Sequence, residues 1–444
     1  MSLTTFKLNK PNLDTNISDK KRASLLEKLL EDNGKLVEIA NSPKYLYYDQ
    51  IKSLAKESGL SPEEYWLLVL INRAMGAKTT VIKSIDGDFF NWKQIDNFNE
   101  KLHAIDLQMG GQIVTDLFGL SGNYKQQFIT KGIIEEAIAS SQLEGAHTSR
   151  KVAKELLESG RQPRDNSERM IVNNYLVNKK LLENYIDKEL SWEMLCEIQK
   201  LLTNEVLDVN DQGRMRVLAD EITVNGQIGN EVFITHVPPS GEFLEKEIGR
   251  FIAFANDVDV SKDFTHPVVK AIMLHFWLGY LHPFVDGNGR LARVIFHWYL
   301  LRHNYWLFGF LSVSSVILEA PIKYAFAYIY AEQDSYNLNY FIDFNLRKII
   351  QAFDNFKGYM ERKFEENKTK VAVWNDRSDI NERQKTALAY LNGGPKAKMT
   401  ATSYHNFYNV SRVTATKELK KLVALSLLRQ HKSGRNVFYS VNTN

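Results

Sequence analysis

The sequence predicts a mainly α-helical protein, and three observations predict it. Up to about residue 370, apolar residues recur at three- and four-residue spacings. Gly and Pro are sparse inside those runs, and β-type alternation is confined to one internal passage and the C-terminal end. With 444 residues, 44% of them hydrophobic and 11% aromatic, the chain has the material for two or three folded domains.

Helical periodicity is carried in turn by residues 24–39, 61–74, 133–142, 191–205 and 268–281, and a long amphipathic stretch follows at 340–366. Pro11, Pro62, Pro163, Pro267 and Pro321 fall at starts or breaks, where a missing N–H costs least. The internal exception is 221–237, where β-favouring runs flank an Asn225-Gly226 turn signal, as in a β-hairpin inserted between helices. Pro238-Pro239 stops it, and a new helix is expected to open near Gly241 or Glu242. The polar run 375–381 reads as a linker. Beyond it, 382–391, 402–408 and 411–427 read as three helices and 428–441 as a hairpin around Ser433-Gly434, the plan of a small winged helix-turn-helix. The expected organisation is a helical N-terminal region at 1–123, a helical core at 124–370 and a small domain at 380–444.

A single cysteine, Cys196, excludes an intramolecular disulfide and a CxxC metal site, and fits a reducing compartment. The first ten residues lack the apolar core of a secretory signal, and the longest apolar run, 65–71, is too short to cross a bilayer. A cytoplasmic protein with no membrane partner is expected. The net charge of +3 is unevenly spread: residues 380–444 carry +9 and the rest −6. Basic charge gathered in one small module fits an anionic partner such as nucleic acid.

The chemistry is concentrated at 282–293, His-Pro-Phe-Val-Asp-Gly-Asn-Gly-Arg-Leu-Ala-Arg, between two apolar helical runs. A glycine-rich loop that empties into a helix N-terminus binds anions, because free N–H groups point outward and the helix dipole favours negative charge. Gly287 and Gly289 give backbone access, Asn288 can donate, and Arg290 and Arg293 are spaced to fork onto phosphates. Asp286 is the one carboxylate, the donor that nucleotide-borne Mg²⁺ needs from a protein. His282 is the group whose ordinary pKa suits proton abstraction near neutrality. Pro283 and Phe284 read as structural, Phe284 as an anchor into the core.

These twelve residues resemble the signature of the Fic family, His-Pro-Phe-x-Asp-Gly-Asn-Gly-Arg-x-x-Arg, at every defined position. The resemblance implies a Fic-type helical core and AMP transfer from ATP to a Ser, Thr or Tyr hydroxyl of a protein, self-modification included. His282 would deprotonate the hydroxyl, Asp286 would hold Mg²⁺, and Gly287, Asn288, Gly289 and Arg290 would cradle phosphates, with Arg293 on the γ-phosphate. Gly289 stands where a phosphotransferase branch of the family has lysine, which favours AMP transfer. The hairpin at 221–237 resembles the family's flap, which lines the nucleotide site and holds the target by strand addition, so Ile234, Thr235, His236 and Val237 are expected to make flap contacts. Tyr324 takes the place of an adenine-contacting tyrosine. Upstream, a helix at 133–145 ends in Ser140-x-x-x-Glu144-Gly145, which resembles an N-terminal inhibitory motif. There Glu144 would pair with Arg293 and occupy the γ-phosphate position.

In the C-terminal module, the segment opening at Ser411 and Arg412 presents basic and polar residues on one helical face, as a helix in a DNA major groove would, and Arg429, Lys432 and Arg435 are placed to touch phosphates. The expected partners are therefore a protein target with a hydroxyl acceptor and DNA. Residues 1–123 carry no chemical motif and are expected to pack on the core or form a homodimer contact. Two alternatives stand beside transfer: a nucleotide-sensing DNA-binding regulator, and a hydrolase that removes AMP with Glu144 positioning water.

Overall fold

A computed structural model describes residues 3–13, 17–110, 122–229, 231–258, 264–372, 377–392, 398–433 and 436–442, and among these the protein is mainly helical. The helices are α1 (Asp19–Glu31), α2 (Lys52–Glu57), α3 (Pro62–Ala74), α4 (Asp96–Met109), α5 (Gly122–Leu143) and α6 (Arg150–Ser159). They continue with α7 (Asn166–Lys180), α8 (Trp192–Thr203), α9 (Glu242–Ala255), α10 (Pro267–Leu281), α11 (Asn288–Arg302) and α12 (Val313–Leu318). The last are α13 (Pro321–Gln333), α14 (Asn339–Ala372), α15 (Glu382–Leu391), α16 (Ala401–Tyr408) and α17 (Arg412–Ala424). Three antiparallel hairpins interrupt them: β1–β2 (Lys78–Lys83, Phe89–Trp92), β3–β4 (Val224–Ile228, Glu231–His236) and β5–β6 (Leu428–Ser433, Asn436–Val441).

At the centre lies the α10–α11 pair. Each has 13 of its 15 residues buried, and a helix that is apolar all round must be covered on every side. Trp277, Phe276, Trp298 and Phe296 fill the interior, with α7, α8, α9 and α14 packed around the pair. A second cluster joins α1 and α3 to the core through Tyr47, Trp66, Ile329 and Tyr340. Inside it the buried Arg73 lies 3.7 Å over the Tyr45 ring and donates to Ala40 O, Leu46 O and Tyr340 Oη.

Three sequence expectations are corrected. The helix expected at 24–39 stops at Glu31 and resumes as a 3₁₀ turn, Lys35–Ala40. Gly34 takes φ +76°, and the Asp32 carboxylate accepts from Gly34 N and Leu36 N at 2.8 and 2.9 Å, so a local cap outcompetes the helix there. Among the described residues, the region before residue 370 holds two hairpins and not one; β1–β2 turns through Asp86-Gly87, with Gly87 at φ +97°. The β3–β4 turn is not at Asn225-Gly226, which lie within the strand opposite Ile234 and Phe233, but at Gly229 (φ +63°), with Asn230 outside the described residues. Gly226 is needed for another reason: a Cβ there would come 2.8 Å from Thr235 Cγ2, where the register slips beside Val224.

At the C-terminal end, α15, α16, α17 and the β5–β6 hairpin enclose their own core of Leu388, Tyr404, Leu419, Leu422 and Tyr439. The buried Glu418 ties it together, accepting from Tyr404 Oη at 2.6 Å and from Asn381 and Arg383. Gly434 and Arg435 of the expected turn, and Asn375 and Asp376 of the expected linker, lie outside the described residues. Helix α16 packs on α5, where Thr130 Oγ1 donates to Asn406 O at 3.1 Å. No helix among the described residues is long and apolar enough to cross a membrane.

Candidate active site

Two buried antiparallel helices must be joined by a chain reversal, and residues 282–287 make it. His282 C-caps α10 in the left-handed region at φ +47°, and Gly287 opens α11 at φ +86°. Four side chains then fix the loop. Asn288 accepts from Phe284 N at 2.9 Å and donates to Phe284 O at 2.8 Å, closing the turn on itself. Gln199, on α8, donates to Asp286 O at 2.9 Å. Arg290, fully buried, donates to Leu202 O at 2.9 Å and holds the Asp286 carboxylate at 3.0 Å. Arg216 donates through Nε to His282 O at 2.6 Å, through Nη2 to Leu281 O at 3.2 Å and to Pro239 O, and through its backbone N–H to Pro283 O at 2.9 Å. Phe284, fully buried, stacks on Trp192 with centroids 5.2 Å apart.

Replacing Arg216 by leucine would leave three backbone carbonyls without their donor. Stability is expected to fall by about 3 kcal/mol, taking roughly 1 kcal/mol for each buried unsatisfied acceptor. A urea unfolding midpoint that does not move would refute the clamp.

The imidazole of His282 is half-buried, with Nδ1 3.1 Å from Gly279 O. A carbonyl can only accept, so Nδ1 carries the proton and Nε2 keeps its lone pair. Burial pushes the imidazole down to about 4; the Gly279 carbonyl and Glu144 oppose the shift, and His236 and Arg216 add to it. His282 is therefore neutral across the physiological range. A base with a depressed pKa works above that pKa and fails as pH falls through it, and kcat/KM reports the free enzyme. In a Glu144→Gly variant, which removes a group that raises this pKa, the acid limb of kcat/KM assigned to His282 is expected at or below about 4. A limb near 6.5 would contradict the buried, neutral imidazole.

Beside the loop stands the end of α5. Arg293, 3% exposed, donates to Ser140 Oγ and Ser140 O at 2.8 Å each and to Glu144 Oε1 at 2.9 Å. Gly145 (φ +92°) terminates the helix, so Glu144 is a carboxylate at a helix C-terminus, where the dipole disfavours it. Its position depends on Arg293. Burial alone would raise the Glu144 carboxyl, but Arg293, helped by Arg290 and His282, holds it below the ordinary carboxylate range. The carboxylate lies so close over Gly289 that a Cβ on residue 289 would sit 2.1 Å from Glu144 Oε1. Deeper on α5, Glu136 accepts from Ser312 Oγ and Ser314 N at 3.1 and 3.0 Å, fixing α5 against α12.

The structure thus brings His282, Asp286, Gly287, Asn288, Gly289, Arg290 and Arg293 into one turn, with Ser140 and Glu144 against it. It places Arg290 and Asn288 inside the loop, their polar groups used to hold it. Tyr324, half-buried beside Arg293, shares a 2.8 Å hydrogen bond with His275 Nε2 and packs on Phe341 and Phe344. On the flap, His236 is fixed by Glu332 Oε2 and Tyr280 O, both at 2.7 Å; burial would lower its pKa, but Glu332 raises it. Thr235 Oγ1 donates to Val224 O at 3.0 Å, Ile234 pairs through its backbone with the N-terminal segment, and Val237 is exposed. The sequence does not mark Arg216 or Gln199: the loop carbonyls they hold, His282 O and Asp286 O, lie 66 and 87 residues away.

Among the described residues no three His, Cys, Asp or Glu side chains converge as a metal cage. Asp286 stands as a single carboxylate, its side chain 45% exposed and only Oδ2 engaged by Arg290 among the described residues. That donor set suits Mg²⁺ that arrives on nucleotide phosphates.

Residues 189–300, from the start of α8 through the loop and nearly all of α11, match the Fic/DOC family model. That stretch of the chain is similar to a Fic domain. It is 36% identical over 125 residues to a protein named protein adenylyltransferase Fic from Nematostella vectensis, covering 27% of this chain and 28% of that protein. It is likewise 36% identical over 77 residues to the protein of that name from Drosophila erecta, covering 17% of this chain and 15% of the other. The matches thus span less than a third of these curated relatives. Among solved structures, a Fic-1 fragment from C. elegans aligns with 79% of this chain and 91% of its own, at 17% identity and a TM-score of 0.49.

Proposed function

We propose that this Fic domain transfers AMP from ATP to a hydroxyl side chain of a protein, and that Glu144 holds it in check. The observation that carries the reading is His282, a neutral imidazole whose Nδ1 is committed to Gly279 O while Nε2 is left to accept a proton beside a phosphate-binding turn. In the reaction, Nε2 takes the proton of the acceptor hydroxyl. Its oxygen bonds to the α-phosphorus of ATP, the bond from that phosphorus to the α,β-bridging oxygen breaks, and pyrophosphate leaves. Asp286 would hold Mg²⁺, which when bound neutralises phosphate charge. Gly287 and Gly289 let N–H groups of the α11 N-terminus approach the phosphates, so the site works by positioning and charge neutralisation. Arg290 acts by holding Asp286 and the turn.

Arg293 is the γ-phosphate partner in this reading. Glu144 occupies its guanidinium as a carboxylate in place of a phosphate, and productive ATP must displace it. The test is incorporation of label from α-³²P-ATP with Mg²⁺ by wild type, Glu144→Gly and the Glu144→Gly/His282→Asn double variant. No label in any of them, with ATP bound and the protein folded, would transfer the case to nucleotide sensing. Release of AMP from a previously modified protein by wild type would favour the hydrolase.

A second role belongs to the C-terminal module, which we read as a winged helix-turn-helix that binds DNA. Helix α17 exposes Arg412, Lys417, Lys420 and Lys421, together with the 79% exposed Val413, while its one acid, Glu418, is buried. A basic face with a protruding apolar residue matches phosphate contact plus thymine-methyl contact.

A further inference from the structure

Between α5, the helix that carries Glu144, and the C-terminal module lies a cavity of about 300 Å³, at the small end of the range for ligand sites. Four parts of the chain enclose it. They are α5, through Ile129, Thr130 and Ile133; α7 with the turn that continues it, Leu181–Tyr185; the end of α11 with the turn Trp306–Gly309; and α16. Its apolar wall is formed by Ile133, Leu182, Leu301, Trp306 and Phe310.

Voids left by imperfect packing are apolar and stay empty. This one is also lined by polar side chains that have nothing to bind among the described residues: Tyr175 Oη and the side-chain amides of Asn406 and Asn409. His405 donates through Nδ1 to Val410 O, which leaves Nε2 as an acceptor. Lys179 meets Glu183 at 3.8 Å with both side chains well exposed, a contact that contributes little. Tyr175 and Lys179 stand one helical turn apart on α7, so they share a face and bring two donors to the same side of the cavity. Burial pushes the Tyr175 phenol up to about 12, with Glu183 adding to the shift, so it remains a donor throughout the physiological range.

We propose that this cavity binds a small aromatic carboxylic acid, and that its occupant holds α5 in the position in which Glu144 meets Arg293. The carboxylate takes the two donors of α7, the ring takes the apolar wall, and His405 Nε2 accepts from an N–H or hydroxyl on the ring. An ammonium in place of the carboxylate would face Lys179 and is rejected. The cavity belongs to the arrangement in which Arg293 is bonded to Glu144, and a ligand favours the arrangement that it fits. Ile129 and Ile133 lie on the same helix as Ser140 and Glu144. Ile133, Leu182, Leu301 and Gly309 also wall a void of about 20 Å³ that reaches Glu136, the residue that fixes α5 to α12. The consequence for ATP rests on the reading of Glu144 given above; the binding site does not.

The probes are indoleacetate and hydroxyphenylacetate, with tryptamine as the cationic counterpart, each titrated against the full chain by saturation-transfer NMR. At least one acid is expected to bind saturably below about 1 mM, and tryptamine at least about tenfold more weakly. Lys179→Met is expected to weaken the acid about tenfold, the effect of one charged hydrogen bond, and Gly309→Leu to abolish its binding. A Cβ at residue 309 would meet Leu182 Cδ2 and Leu301 Cδ2 at 3.7 Å, an ordinary contact, so the position accepts a side chain whose outer atoms then fill the cavity. Hydrogen exchange reads the hold on α5: the Gly145 amide, bonded to Gln142 O at 3.1 Å, is expected to exchange at least about threefold more slowly with the acid bound. No saturable binding of either acid, or binding that Lys179→Met and Gly309→Leu leave unchanged, overturns the site. An unchanged Gly145 amide with the acid bound overturns the hold on α5. Neither measurement uses ATP, so absence of label transfer by Glu144→Gly would sink the transferase and leave the acid in its cavity.

Discussion

Glu144→Gly is expected to raise incorporation of label from α-³²P-ATP by about 10- to 100-fold over wild type. The size follows from the contact that is removed. A hydrogen bond between charged groups contributes roughly 1.5–3 kcal/mol, and if ATP must break it to place its γ-phosphate, that energy appears as a rate factor of about 10 to 150. Arg293 keeps both bonds to Ser140 after the change, so its guanidinium stays in position with one donor open. The change also removes the carboxylate atoms that crowd Gly289. Glu144→Gln, which keeps the shape and loses the charge, is expected to fall between wild type and glycine. Unchanged labelling by a folded variant that binds Mg-ATP would end the brake hypothesis.

In the Glu144→Gly background, His282→Asn is expected to lower labelling by about 10²- to 10⁴-fold, the usual contribution of a positioned general base. ATP binding should stay within about threefold, because a base acts on the acceptor's proton and not on the phosphates. Asparagine is preferred to alanine because residue 282 sits at φ +47°, a region asparagine tolerates well. The two changes separate the proposed roles, Glu144 in whether ATP lies productively and His282 in whether the acceptor is activated. Equal labelling by single and double variants would require another base.

Much of the site was legible because its parts are local in sequence. The loop from His282 to Arg293 falls within twelve residues, and Ser140 with Glu144 one helical turn apart reads as a single face. The contact of that face with Arg293, 2.9 Å in the structure, spans 149 residues and came from family resemblance; periodicity alone could not have paired them. Arg216 and Gln199 escaped notice for the same reason, since a side chain that binds distant backbone carbonyls leaves no pattern around itself. The fold followed its apolar period, and its misses are turn chemistry. Asp86-Gly87 is a hairpin signal that the helical periodicity on either side of it masks. Asn225-Gly226 was a false one, because Gly229 offered a turn that keeps Phe233 and Ile234 paired across the flap. Gly34 with Asp32 ended a helix that hydrophobic spacing alone would have continued.

The central pair α10 and α11, buried along nearly all their length, has a consequence for how this protein ages and varies. Local opening is cheap where backbone bonds face solvent and costly where they lie inside packed apolar layers. Opening the turn between these helices means disrupting the innermost layer of the molecule, so its amides are expected to exchange only when the whole core comes apart. The flap's edge and the end of α5 lie on top of that layer. Peripheral segments can therefore be exchanged, lengthened or lost over evolutionary time while the turn from His282 to Gly287 keeps its shape, and loss of nucleotide binding on heating should coincide with global unfolding.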